Sequence, residues 1–309
     1  MDDWLSICIR FFLYVDLLLL LGVPVFALSN RTSPGSRSGA GLDVRRLIAG
    51  VAFFGLLVSA ASMLVLAKAM SGVSQFSELS QHVFEMILTV TDVGIAWAVR
   101  VAALAAILVL SLAIRPFTTG SQVVVALLAA IALATVAWSG HGAMDEGVRR
   151  YPHLVADILH LFAAAVWVGA LALFAKLIHE TRGASYERLV TLSHALNGFA
   201  RTGTLVVVTL VITGAVNYWL TAGPSIAPLV SGQYGVLLLM KLCLFVVMLG
   251  LAAANRFNLT PKLERAIDGG DTAVAVAALR KSLLLEAGAA LLILVLVAWL
   301  GVLSPSASS

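Results

Sequence analysis

Residues 139–169 read SGHGAMDEGVRRYPHLVADILHLFAAAVWVG. A glycine-flanked histidine, His141, closes one apolar run. A short polar stretch with Tyr151-Pro152-His153 follows, and a second apolar run carries Asp157, His160 and Trp167. Proline is tolerated in the first turn of a helix, so the spacing predicts a helix from Pro152 onward. On it His153, Asp157, His160 and Trp167, spaced by four, three and seven residues, share one stripe. Three of the 6 histidines fall in this window, and a tight connection would bring His141 close to His153. Imidazoles and a carboxylate converging at the mouth of a helix bundle fit a metal or proton site. Polar residues also gather wherever a membrane helix meets water, so the stretch has two readings, site and rim.

The rest of the chain settles which solvent surrounds it. Of 309 residues 61% are hydrophobic and 12% charged, against about 25% charged in soluble domains. Apolar runs of membrane-spanning length recur throughout. The net charge of +4 therefore reads as a topology signal rather than a nucleic-acid footprint. Cys8 and Cys243 form no CxxC or zinc-finger spacing, so no disulfide framework is indicated. Met1-Asp2-Asp3-Trp4 lacks the basic start of a secretory signal, so the first run is expected to be a retained helix.

The fold class is all-α: a single membrane domain of eight transmembrane helices, near 5–28, 44–70, 82–114, 121–140, 152–179, 187–221, 233–255 and 275–303. Pro34 and Gly35 mark a turn in the first loop, and Arg115-Pro116 ends the third helix. An uncharged loop, 222–232, precedes the seventh helix, and a charged loop with Pro261, Gly269 and Gly270 follows it. The connections after helices 1, 3, 5 and 7, with the helix ends beside them, gather basic residues from Arg31 to Lys281, whereas the intervening loops hold Arg149 and Arg150. The positive-inside rule then places both termini and the His141–His153 turn outside.

Charges inside the apolar runs need partners, because hydrocarbon makes them costly. They are Asp16, Glu85, Asp92, Arg100, Asp157, Arg201, Lys241 and Glu286. Axial rise puts Asp16, Asp92 and Arg201 near mid-membrane. The expected pairs are Arg201 with Asp16 or Asp92, and Lys241 with Asp157. Such pairs either hold helices in register or, with Glu286, line a polar route inward. Methionine supplies the soft ligands that cuprous copper favours. Met63, Met70, Met86 beside His82, and Met144 beside His141 all approach the outer face in this topology, although methionine stripes also serve packing. His179 and His194 are expected at the opposite surface.

The Ser139-Gly140-His141-Gly142 helix end and the D-x-x-H-x(6)-W-V-G pattern of Asp157, His160, Trp167, Val168 and Gly169 resemble the copper resistance D (CopD) family. So do Asn197–Arg201 with Ile212-Thr213-Gly214, Tyr234-Gly235 with Lys241, Asn255-Arg256 with Pro261, and Arg280, Ser282 and Glu286. Thr91, Gly94, Trp97 and Arg100 look like the family's helix 3. The resemblance implies a multi-pass inner-membrane protein of copper homeostasis that moves copper, usually inward, from a periplasmic copper-binding protein of CopC type. It carries over His141 and His160 as ligands with Asp157 as their partner. This chain lacks a long Met/His-rich periplasmic segment, which leaves copper capture to a separate donor.

The expected mechanism binds copper, Cu(I) or Cu(II), at His141 and His160. His153 and Asp157 stand beside them, and Met144, His82 and Met86 are additional ligands. An alternative is a haem b electron carrier or cupric reductase, with His141 or His82 opposing His160. Another is a copper-delivery factor that does not transport. No P-loop, GxSxG or HExxH occurs, which argues against ATP-driven pumping and hydrolase chemistry.

Overall fold

The computed structural model describes residues 2–29, 40–115, 117–140, 147–180, 186–230, 232–270 and 272–303. Pro34, Gly35, Pro116, His141 and Met144 lie outside them. Among the described residues all regular structure is helical, and eight helical segments are long and apolar enough to cross a membrane. The helices are α1 (Asp2–Ser29), α2 (Ala40–Ser71), α3 (Gln81–Val90), α4 (Asp92–Ala113), α5 (Thr119–Ala134), α6 (Arg150–Glu180), α7 (Tyr186–Ala222), α8 (Ala227–Val230), α9 (Gly232–Ala254), α10 (Thr260–Gly269) and α11 (Ala273–Leu300). A 3-10 turn, Thr135–Ser139, extends α5.

The expected helix 82–114 is two helices. Thr91 is extended, and its hydroxyl accepts from the Gly94 amide at 3.0 Å, capping α4. Gly94 also lets α3 fold back, since a Cβ there would collide with the Ile87 carbonyl. The remaining 22 residues of α4 rise about 33 Å, close to the hydrocarbon thickness of about 30 Å. Asp92 therefore sits in the first turn of α4, where the helix dipole favours an acid, and not at mid-membrane. It pairs with Arg150 at the start of α6. Arg201 is exposed on α7 and pairs with neither Asp92 nor Asp16.

The charged stretch after the seventh span is likewise helical rather than a loop. The chain widens into a π turn at Asn255–Leu259 and continues as α10, with Pro261 directly after the π turn. Leu263 is fully buried, so one apolar face anchors α10. Gly270, at φ +83°, ends it.

Two apolar clusters share α1 and α6. Leu17, Leu18 and Leu20 of α1 are almost wholly buried with residues of α2, α4 and α5. Phe26 of α1 joins the second cluster, edge-on to Phe174 at 5.1 Å between ring centroids. The two helices cross at Gly22 and Gly169, where a Cβ on either would run into the other's backbone. Such close crossings replace the hydrophobic drive that lipid removes. Trp97 donates to the Ser59 carbonyl at 2.7 Å and Arg100 to Ser62 Oγ at 3.4 Å, fixing α4 against α2. Asp16 is buried against Gly55 with both oxygens lacking a hydrogen-bond donor.

Candidate metal site

Three turns of α6 set the site. His153, Asp157 and His160 all line one cavity of about 250 Å³, closed by α1, α7, α9 and the end of α11. His160 Nδ1 lies 2.9 Å from Thr213 Oγ1 on α7. The single hydroxyl proton of Thr213 goes to the Thr209 carbonyl at 2.6 Å. Thr213 then accepts from His160 Nδ1–H, and in the neutral imidazole Nε2 keeps a lone pair for a metal. This is how ligating histidines are usually oriented by their other nitrogen. One turn away, Asn217 Nδ2 donates to Asp157 Oδ1 at 2.7 Å. α7 thus supplies one orienting partner to each.

His153 is 2% exposed and lies 3.5 Å from Thr221 Oγ1, the outer limit of a hydrogen bond. Seven residues separate it from His160, about 10 Å of helix rise, so the two imidazoles do not meet on one ion. Among the described residues no three His, Cys, Asp or Glu side chains are close enough to hold a metal together. His141, the expected second ligand, and Met144 lie outside those residues. His82 and Met86 are exposed on α3 and do not line the cavity, so His82 does not oppose His160.

Residues outside the Ser139–Gly169 stretch complete the cavity walls. Arg10 and Tyr14, one turn apart on α1, both line it. Tyr234 lines it from α9 and Asn217 from α7. An arginine inside the first apolar run was the available signal for the α1 pair. Lys241 shares the cavity with Asp157, near enough for their charges to interact. Asp92, Arg201 and Asp16 are not among its walls. Glu286 lies deeper, where Trp167 Nε1 donates to one carboxylate oxygen and Asn255 Nδ2 to the other, each at 2.8 Å.

This pairing gives each sequence motif a structural counterpart. Asp157 and His160 meet Asn217 and Thr213, while Trp167 meets Glu286 and Asn255. Residues 1–151 match the family model "Copper resistance protein D-like, N-terminal domain", and residues 193–300 match "Copper resistance protein D". The chain is 46% identical over 305 residues to copper resistance protein D of Pseudomonas syringae pv. tomato, covering 99% of this chain and 98% of that protein. It is 26% identical over 267 residues to inner membrane protein YebZ of Escherichia coli (strain K12), covering 84% and 86%. No solved structure matches. With eight apolar spans and these relatives, the chain is a multi-pass inner-membrane protein and belongs to the copper resistance protein D family.

Proposed function

We propose that this membrane protein of copper homeostasis carries copper ions across the inner membrane, inward, and that the cavity at His160 is where the ion is first bound. The observation that carries the reading is the use of His160 Nδ1–H by Thr213. It sets aside one neutral imidazole nitrogen in a cavity that also holds a carboxylate. In this reading His141 and Met144, from the connection that precedes α6 in the sequence, supply further ligands, and His153 lines the same cavity. A periplasmic copper-binding protein of CopC type delivers the ion.

Direction follows from charge. The basic connections place the opposite end in the cytoplasm, and an inside-negative potential draws a cation inward by about 2.3 kcal/mol per charge per 100 mV. Asp157 offsets the ion's charge. Arg10 and Lys241 oppose it, so binding is a balance that release can use.

Metal analysis and the visible spectrum of purified wild type and His160→Ala test this. Copper bound to wild type, at least about tenfold weaker in the variant, and no Soret band is the expected result. Copper affinity unchanged in His160→Ala, or a haem spectrum lost in it, overturns the site.

A further inference from the structure

Two further cavities continue from the mouth cavity along the seam between α7 and α9. The middle one, about 390 Å³, shares His160 and Lys241 with the mouth and has Met248 in its wall. The inner one, about 380 Å³, shares Trp167 with the middle one and ends on Glu286, Asn255 and Arg256. His160 and Trp167 lie one heptad apart on α6, as do Lys241, Met248 and Asn255 along α9 and into the π turn. Each step therefore descends two helical turns, about 10 Å.

The inner cavity holds an acidic side chain with no cationic partner among the described residues. Glu286 is 4% exposed, and both its oxygens accept from neutral donors, the Trp167 indole and the Asn255 amide. Among the described residues no cation pairs with it. Arg256, in the same wall, is turned to α7, donating to Thr204 Oγ1 at 2.6 Å and to the Ala200 carbonyl at 3.2 Å. Asn255 is 5% exposed, and its Oδ1 has no hydrogen-bond partner. It opens the π turn, a distortion that recurs at functional positions. A buried carboxylate and an unanswered amide oxygen in one chamber are together what a cation lacking its water shell requires.

We propose that Glu286 and Asn255 form a second, inner cation site, which takes the copper ion that enters at His160. The cation's identity rests on the transport reading above; the site itself rests on the chamber. Oxygen ligands hold cuprous copper less firmly than imidazole or thioether. A weak inner station suits an ion that must leave, because conduction needs sites that release as well as bind.

Copper(I) titration against a chromophoric chelator, on folded full-length variants, separates the two sites. His160→Ala is expected to keep one weak copper equivalent, and His160→Ala with Glu286→Gln to keep none. Retention of that equivalent in the double variant, or its absence from His160→Ala, overturns the inner site whether or not wild type transports copper. If Glu286→Gln does not fold, Ala252→Leu fills the same chamber without touching the carboxylate and must remove the weak equivalent instead. Absence of copper flux through wild type, with the weak equivalent still dependent on Glu286, would overturn the transport reading and leave the inner site standing.

Discussion

At the residue scale the site is a set of oriented groups, and the orienting partners are as informative as the ligands. Thr213→Val keeps the shape of the side chain but removes the acceptor of His160 Nδ1–H. Copper affinity should fall about tenfold, within the range known for partners that orient metal ligands, as read by chelator competition; an unchanged affinity would detach Thr213 from the site. Lys241→Met has the opposite sign. It removes a cation that shares the cavity with Asp157, so copper should bind about five- to tenfold tighter, in keeping with the ~1 kcal/mol that a like charge about 4 Å away costs in a well-hydrated site. Weaker binding in Lys241→Met would mean that the lysine positions Asp157 rather than opposes the ion. The α6 stripe was legible from spacing alone, because one helix carries it. Its partners were not: Thr213, Asn217 and Glu286 stand 53, 60 and 119 residues away from the side chains they meet. Glu286 stood out as a charge inside an apolar run, whereas only the resemblance drew attention to Thr213.

At the scale of elements, α6 organises the bundle through three faces. One stripe carries His153, Asp157 and His160 and, farther along, Trp167, which meets Glu286; a second face crosses α1 at Gly169; a third packs on α7. The Trp167-Val168-Gly169 motif thus combines a hydrogen bond with a close backbone contact. Gly169→Leu would force α1 and α6 apart, and the purified protein should lose its monodisperse elution or melt at least about 10 °C lower, a shift expected for a core clash of a few kcal/mol. On α9 the stripe of Lys241, Met248 and Asn255 suggests a role for the middle residue. Met248→Leu conserves volume, so folding should persist. If the thioether assists passage, copper flux should drop about tenfold while affinity at His160 stays put; equal flux would leave Met248 as packing. Hydropathy located all eight spans, but it did not reveal the break at Thr91 or the helical α10. Those depend on a threonine cap, a glycine that permits back-folding and an apolar anchor at Leu263, signals of single residues that an average over a window suppresses.

At the scale of the whole molecule, the cavities form a sequence from the end that carries His153 and the Asp92–Arg150 pair toward the end where α10 is anchored to α7 through Glu264. There Ser193 Oγ and Asn197 Nδ2 donate to the Glu264 carboxylate at 3.1 and 2.5 Å. The proposed orientation, read from the charge bias of the connections, puts the first end on the periplasmic side. In a background with Cys8 and Cys243 replaced by serine, Ser74→Cys should react with a membrane-impermeant thiol reagent in intact spheroplasts, and Asp268→Cys only after permeabilisation. The reverse pattern would invert the direction assigned to transport. On the proposed function, copper crosses the bilayer through this chain by way of His160. Copper uptake by proteoliposomes containing only this protein, compared with His160→Ala under an inside-negative potential, tests it most directly. The account predicts saturable uptake by wild type, reduced at least about tenfold in the variant, as loss of an orienting ligand set would do. Wild-type vesicles no more permeable to copper than protein-free ones, or equal uptake by both proteins, would contradict it.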